Sequence, residues 1–150
     1  WTWGTRWDNA VIHGTTLAER LGISDKSSPT QWRVPMLGYL LGCFCWGAIK
    51  AKAFGVRRTH NLGASLFAAP AEELQFRLGV ERLGLTRGLG LSSEHARLAS
   101  AVLFGLGHPG LEVDAAVGGY VYSRAFDAHG LAGAVLSHVA HNLGCWAGGR

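Results

Sequence analysis

The sequence predicts an all-α protein, a polytopic membrane helix bundle with its active site between core helices, and three observations carry that expectation. Charged residues are only 16% of the 150 while the AVILMFWYC set reaches 48%, against about 25% charged in a typical soluble domain. Glycine contributes 22 residues, interspersed with Leu, Ala, Val and aromatics rather than in a G-X-Y period or a Gly/Ser run; such mixing suits helix backbones that approach closely in a bilayer. Two long uncharged stretches are compatible with spanning helices. The length is that of one ordinary domain. A net charge of +4 is modest, and no Arg-rich stripe runs through aromatics, so a lipid bilayer is an expected partner and nucleic acid is not. Cys43, Cys45 and Cys145 are odd in number and lack CxxC spacing, which predicts buried thiols rather than a disulfide framework or a thiolate zinc site.

Residues 1–33 form a polar, interfacial segment: 10–22 can make a short amphipathic helix and 24–30 read as a loop. The start at Trp1, with no secretory signal, predicts a fragment or processed product. Residues 34–150 form the membrane-embedded domain, with a motif-bearing core at 69–146. Its first span begins with 16 uncharged residues, 34–49, and can extend to Val56 if Lys50 and Lys52 snorkel. Trp32 and Arg33 flank one end, and Lys50, Lys52, Arg57 and Arg58 the other. Gly38 and Gly42 form a GxxxG that could admit a neighbouring helix.

Shorter helices follow at 70–85, 94–107 and 113–123. Pro70 with Glu72 and Glu73 predicts a helix start, because Pro lacks only an amide that would be orphaned there and acids favour the positive end. Ser92, Ser93 and Glu94 start the next helix and Pro109-Gly110 ends it. Arg82, Arg87 and Arg97 form a second basic set at the far end. The last stretch, 128–149, is 22 residues without a formal charge but with His129, His138 and His141 inside it. No internal repeat is present.

Polar groups on such apolar helices need partners. In EELQFR, Glu73 and Arg77 stack at i,i+4, which leaves Glu72 on another face. Standing alone, the motif reads first as a solvated helix end with a surface salt bridge. Phe104 and His108 share a face in LFGLGHPG, and a histidine at a helix C-terminus also suits the dipole. His138 and Asn142 share a face in LSHVAHNL, with His141 beside them. If the helices alternate in direction and the last returns from Gly130, a rise of about 1.5 Å per residue puts His138 and Asn142 roughly 12 and 18 Å along it, near the depth of Glu72 and His108.

EExxxR, FxxxH and HxxxN, in this order on successive apolar helices, resemble the CPBP group of intramembrane glutamic proteases, which includes type II CAAX prenyl endopeptidases and bacteriocin-related membrane peptidases. The resemblance covers residues 69–146; the group ordinarily has more spanning helices than this chain shows. It implies peptide-bond hydrolysis by an activated water, without a metal or other cofactor. Glu72 with His108 would position the water and take its proton, since a carboxylate drawn out of water is a stronger base. Arg77 would hold Glu73, and His138 and Asn142 would donate to the oxyanion, typically worth about 3 to 4 kcal/mol per donor. The implied substrate is a peptide or protein, prenylated or membrane-associated, with CAAX processing one case. Two alternatives use the same residues: a zinc-dependent membrane metallopeptidase built on Glu72, His108 and His138, and a noncatalytic membrane scaffold or peptide-binding protein.

Overall fold

A computed structural model describes residues 34–55 and 62–149, and every regular element among them is helical. The interfacial segment 1–33 and the flanking Trp32, Arg33, Arg57 and Arg58 lie outside the described residues. Helix α1 (Met36–Phe54) follows Pro35 and stops at Gly55, whose positive φ of 64° lets its amide donate back to the Ala51 carbonyl. Helix α2 (Leu62–Glu73) runs directly into a π-helical segment, Leu74–Gly88. Helix α3 (Ser93–Leu106) is capped by Ser92, whose hydroxyl accepts from the His95 amide at 3.3 Å. Helix α4 (Glu112–Gly148) touches every other element.

Pro70 does not start a helix. It lies inside α2, because the apolar run 62–69 already forms helical turns and carries through it. The missing proline amide leaves the Leu66 carbonyl without its helical donor. Within one turn of Pro70 the helix widens into i→i+5 bonding, and Leu89 N donates to Gly84 O at 3.0 Å at its end. The expected separate helices at 113–123 and 128–149 are the two arms of α4, divided at Gly130 (φ 69°, ψ −167°). That conformation is open to glycine and strained for other residues. The two arms, 112–129 and 131–148, fold back on each other, so that Tyr122 meets His138 and Asp114 comes within 3.9 Å of His141.

The close helix approach falls elsewhere than the GxxxG of α1. A Cβ at Gly42 would meet nothing within 4 Å, whereas one at Gly144 would fall on the Phe44 carbonyl and one at Gly148 on the Ala48 carbonyl. Gly47 in turn faces the His141 carbonyl, with Cys145 N 2.9 Å from where its Cβ would be. The second arm of α4 therefore lies backbone to backbone against α1.

The interior is polar to an unusual degree. Glu73, Arg77, Glu81, Arg82, Arg97, His138 and His141 are buried, while Leu37, Leu41, Ile49, Phe54, Phe67, Val102 and Leu106 are exposed. Arg82 and Arg97 are thus not a basic surface set. Both pair with Asp127, and Arg97 also pairs with Glu94, because these acids are the partners within reach once α3 and α4 pack together. Nor does Lys50 snorkel: it turns inward to Asp114, with His141 Nε2 3.2 Å from its Nζ. No helix among the described residues is long and apolar enough to cross a membrane. Helix α1 has 19 residues but contains Lys50 and Lys52, and α4 carries Arg124 and Asp127 just before its break.

Candidate active site

The end of α2 presents two adjacent carboxylates to different surroundings. Glu73 is fully buried: its Oε2 accepts from Arg77 Nε at 2.9 Å and its Oε1 pairs with His138 Nδ1 at 2.9 Å. Glu72 points instead into a cavity of about 340 Å³, whose walls include His108, His138, Tyr122 and Asn142. Its Oε2 lies 3.8 Å from His108 Nε2 and 3.8 Å from His138 Nε2. Both distances exceed direct hydrogen bonding and match a gap that one bridging water can fill.

Each imidazole is oriented through its other nitrogen. His108 Nδ1 donates to the Phe104 carbonyl at 2.7 Å, which is the local reason for FxxxH: the ring folds back over the last turn of α3 and turns Nε2 to the cavity. His138 Nδ1 donates to Glu73, which turns its Nε2 toward Glu72. Phe104 fills the space beneath, with its ring centroid 4.5 Å from that of His108 and 5.8 Å from that of His138. Tyr122 stacks on His138 at 4.6 Å. Asn142 also lines the cavity, and its Nδ2 donates to the Ser65 carbonyl at 3.2 Å, one residue from the carbonyl that Pro70 deprives of its helical donor. An amide nitrogen carries two N–H groups, so this bond uses one of them.

The structure therefore brings Glu72, Glu73, Arg77, His108 and His138 into one connected cluster and places Asn142 on the same cavity wall, bonded to α2. His141 is buried and lines the same cavity beside Lys50 and Asp114. Sequence reasoning missed Tyr122, which becomes a neighbour of His138 only through the fold-back at Gly130. It also missed Glu81 and Ser123, which extend the buried network: Arg77 Nη1 donates to Glu81 Oε2 at 3.1 Å, and Ser123 Oγ donates to Glu81 Oε1 at 2.8 Å. Glu81 had a legible signal, since it repeats on the C-terminal side of Arg77 the four-residue spacing that Glu73 has on the other side. Among the described residues, no group of three His, Cys, Asp or Glu side chains is arranged to hold a metal ion.

Fold and site together define an all-α protein with a carboxylate pair and two imidazoles gathered at a half-enclosed cavity. The chain belongs to the type II CAAX prenyl endopeptidase Rce1-like family, whose model matches residues 58–144, more than half its length and a stretch that contains all six candidate residues. This is a protease family, and its proteins are membrane proteins. No curated protein and no solved structure matches the chain.

Proposed function

We propose that this chain is a multi-pass intramembrane glutamic endopeptidase in which Glu72 and His108 activate a water. The observation that carries the reading is the position of Glu72 Oε2, 3.8 Å from both imidazole Nε2 atoms on the wall of one cavity. With Nδ1–H of His108 committed to the Phe104 carbonyl, its neutral Nε2 is an acceptor, so the water can be held between that lone pair and the Glu72 carboxylate. Glu72 takes one water proton as the oxygen attacks the scissile carbonyl carbon. The oxyanion that forms accepts from His138 Nε2–H, present when that ring is doubly protonated and held by the Glu73 carboxylate, and from the second N–H of Asn142 Nδ2. The tetrahedral intermediate then breaks its C–N bond, and the proton held by Glu72 passes to the departing amine.

Membrane embedding is supported by family membership and by the inverted packing, with ionic groups inside and large apolar side chains outside. The substrate is a peptide or protein held at the bilayer, and a prenylated C-terminal peptide is the case the family description favours. The test is Glu72→Gln in native membranes or detergent with a prenylated CAAX peptide. Hydrolysis is expected to fall by about three orders of magnitude, the scale of losing a proton acceptor, while the thermal midpoint is retained. Unchanged hydrolysis by a folded variant rejects Glu72 as the base.

A further inference from the structure

Arg77 divides its guanidinium between two buried acids. Nε donates to Glu73 Oε2 at 2.9 Å, while Nη1 donates to Glu81 Oε2 at 3.1 Å and to Ser100 Oγ at 3.4 Å. Nη2 has no partner. All three charged side chains are at most 1% exposed, so solvent does not screen the competition between the two carboxylates for one cation. A lone Arg–carboxylate pair prefers to close as a fork, with two parallel N–H···O bonds that occupy both oxygens. Here the fork is held open. Glu73 gives Arg77 one oxygen only and keeps the other, Oε1, for His138 Nδ1.

What holds it open is Glu81, which is anchored from a different helix. Its Oε1 accepts from Ser123 Oγ on α4, and Ser123 in turn accepts from Arg97 Nε at 3.3 Å. Arg97 is tied to Asp127 and Glu94. A continuous line of charge-assisted bonds therefore runs from the first arm of α4 through Glu81, Arg77 and Glu73 to His138 on the second arm.

From this geometry we infer that Glu81 is a positioning residue for the hydrolytic site: by tethering Nη1 of Arg77 it fixes the angle of the guanidinium, so that Nε alone reaches Glu73, the neighbouring Nη2 stays off Oε1, and Oε1 is reserved for the His138 imidazole. Removing the Glu81 charge leaves Arg77 one anionic partner. The guanidinium then closes on both oxygens of Glu73, and His138 loses the acceptor that orients its ring toward Glu72. The effect on turnover rests on the proposed hydrolytic function; the effect on the His138 hydrogen bond does not.

The experiment compares wild-type chain with Glu81→Gln and Glu81→Asp in detergent, labelled with ¹⁵N-histidine, and reads two quantities. The first is the Nδ1 proton resonance of His138, assigned by its absence in His138→Gln and strongly deshielded while bonded to a carboxylate. It is expected to move upfield or vanish in Glu81→Gln, which keeps the side-chain volume and the Ser123 contact, and to return in Glu81→Asp, which keeps the charge. The second is the kinetic split with a prenylated CAAX peptide: kcat falls about tenfold or more with KM held within about twofold, as for lost orientation of a reacting group. An unmoved resonance in folded Glu81→Gln overturns the inference whatever the activity. A moved resonance in a chain that cleaves no peptide upholds the positioning contact and overturns the hydrolytic function. If Glu81→Gln does not fold, Ser123→Ala, which removes only the anchor of Glu81, is expected to shift the same resonance in the same direction, and an unshifted resonance there overturns it.

Discussion

Tyr122 lies flat against His138, with ring centroids 4.6 Å apart and planes 12° from parallel. The two residues come from opposite arms of α4 and meet because Gly130 reverses the chain between them. Tyr122 thus braces one face of the imidazole, Phe104 approaches edge-on at 5.8 Å, and Glu73 fixes Nδ1. Few rotations remain open to the ring, which is the pre-organisation that the oxyanion role proposed for it would require.

On the proposed mechanism the stacking contact, and so the Tyr122 ring rather than its hydroxyl, carries the contribution. Tyr122→Phe should keep kcat within about twofold of wild type, whereas Tyr122→Leu should lose roughly tenfold, the stack itself being worth about 0.5–1.5 kcal/mol beyond burial. Turnover of a prenylated CAAX peptide by the two purified variants is the measurement. Equal rates for Phe and Leu would remove the brace from the mechanism.

Helix contact at Gly144, not at Gly42, predicts opposite outcomes for the same substitution. Gly144→Ala drives a methyl into the Phe44 carbonyl and should destabilise the fold by about 1–3 kcal/mol. Gly42→Ala enters open space, so it should be neutral or gain up to about 1 kcal/mol from helix propensity. Denaturant or thermal unfolding in one detergent compares them, and a larger loss at Gly42 would contradict the observed packing of α1 on α4.

Water activation by a carboxylate and an imidazole needs no resident metal, whereas the zinc alternative uses Glu72, His108 and His138 as ligands. Activity is therefore expected to persist after dialysis against a strong chelator, with metal content measured on the same sample. Loss of activity that zinc restores stoichiometrically would replace the glutamic mechanism with metal hydrolysis.

Local spacing carried a good part of the site. The i,i+4 relation of Glu73 and Arg77 needs only one helical turn, and the pair forms whether the backbone bonds at i→i+4 or widens beyond Glu73. His108 was equally legible, because its Nδ1 partner is the carbonyl four residues back. The reach of Lys50 to Asp114 and of Arg82 to Asp127 was not legible, since their sequence separations of 64 and 45 residues carry no periodic signal. Basic residues at the ends of apolar stretches look alike whether they snorkel outward or pair inward. Only the position of the acids distinguishes the two.

By itself the sequence determined the helical class, the apolar stretches, the acid pair with its arginine and the order of the motifs, because each depends on residues within a few turns of one another and on composition. The tertiary structure decided that Glu73 also takes the His138 imidazole, and how far Glu72 stands from the two rings across the cavity. It also decided where helix backbones touch and that Glu81 and Tyr122 belong to the cluster. Those outcomes depend on the reversal at Gly130 and on the packing of α4 against all the other helices, and contacts between distant segments are chosen by shape and by the pairing of buried charge, which no local repeat encodes.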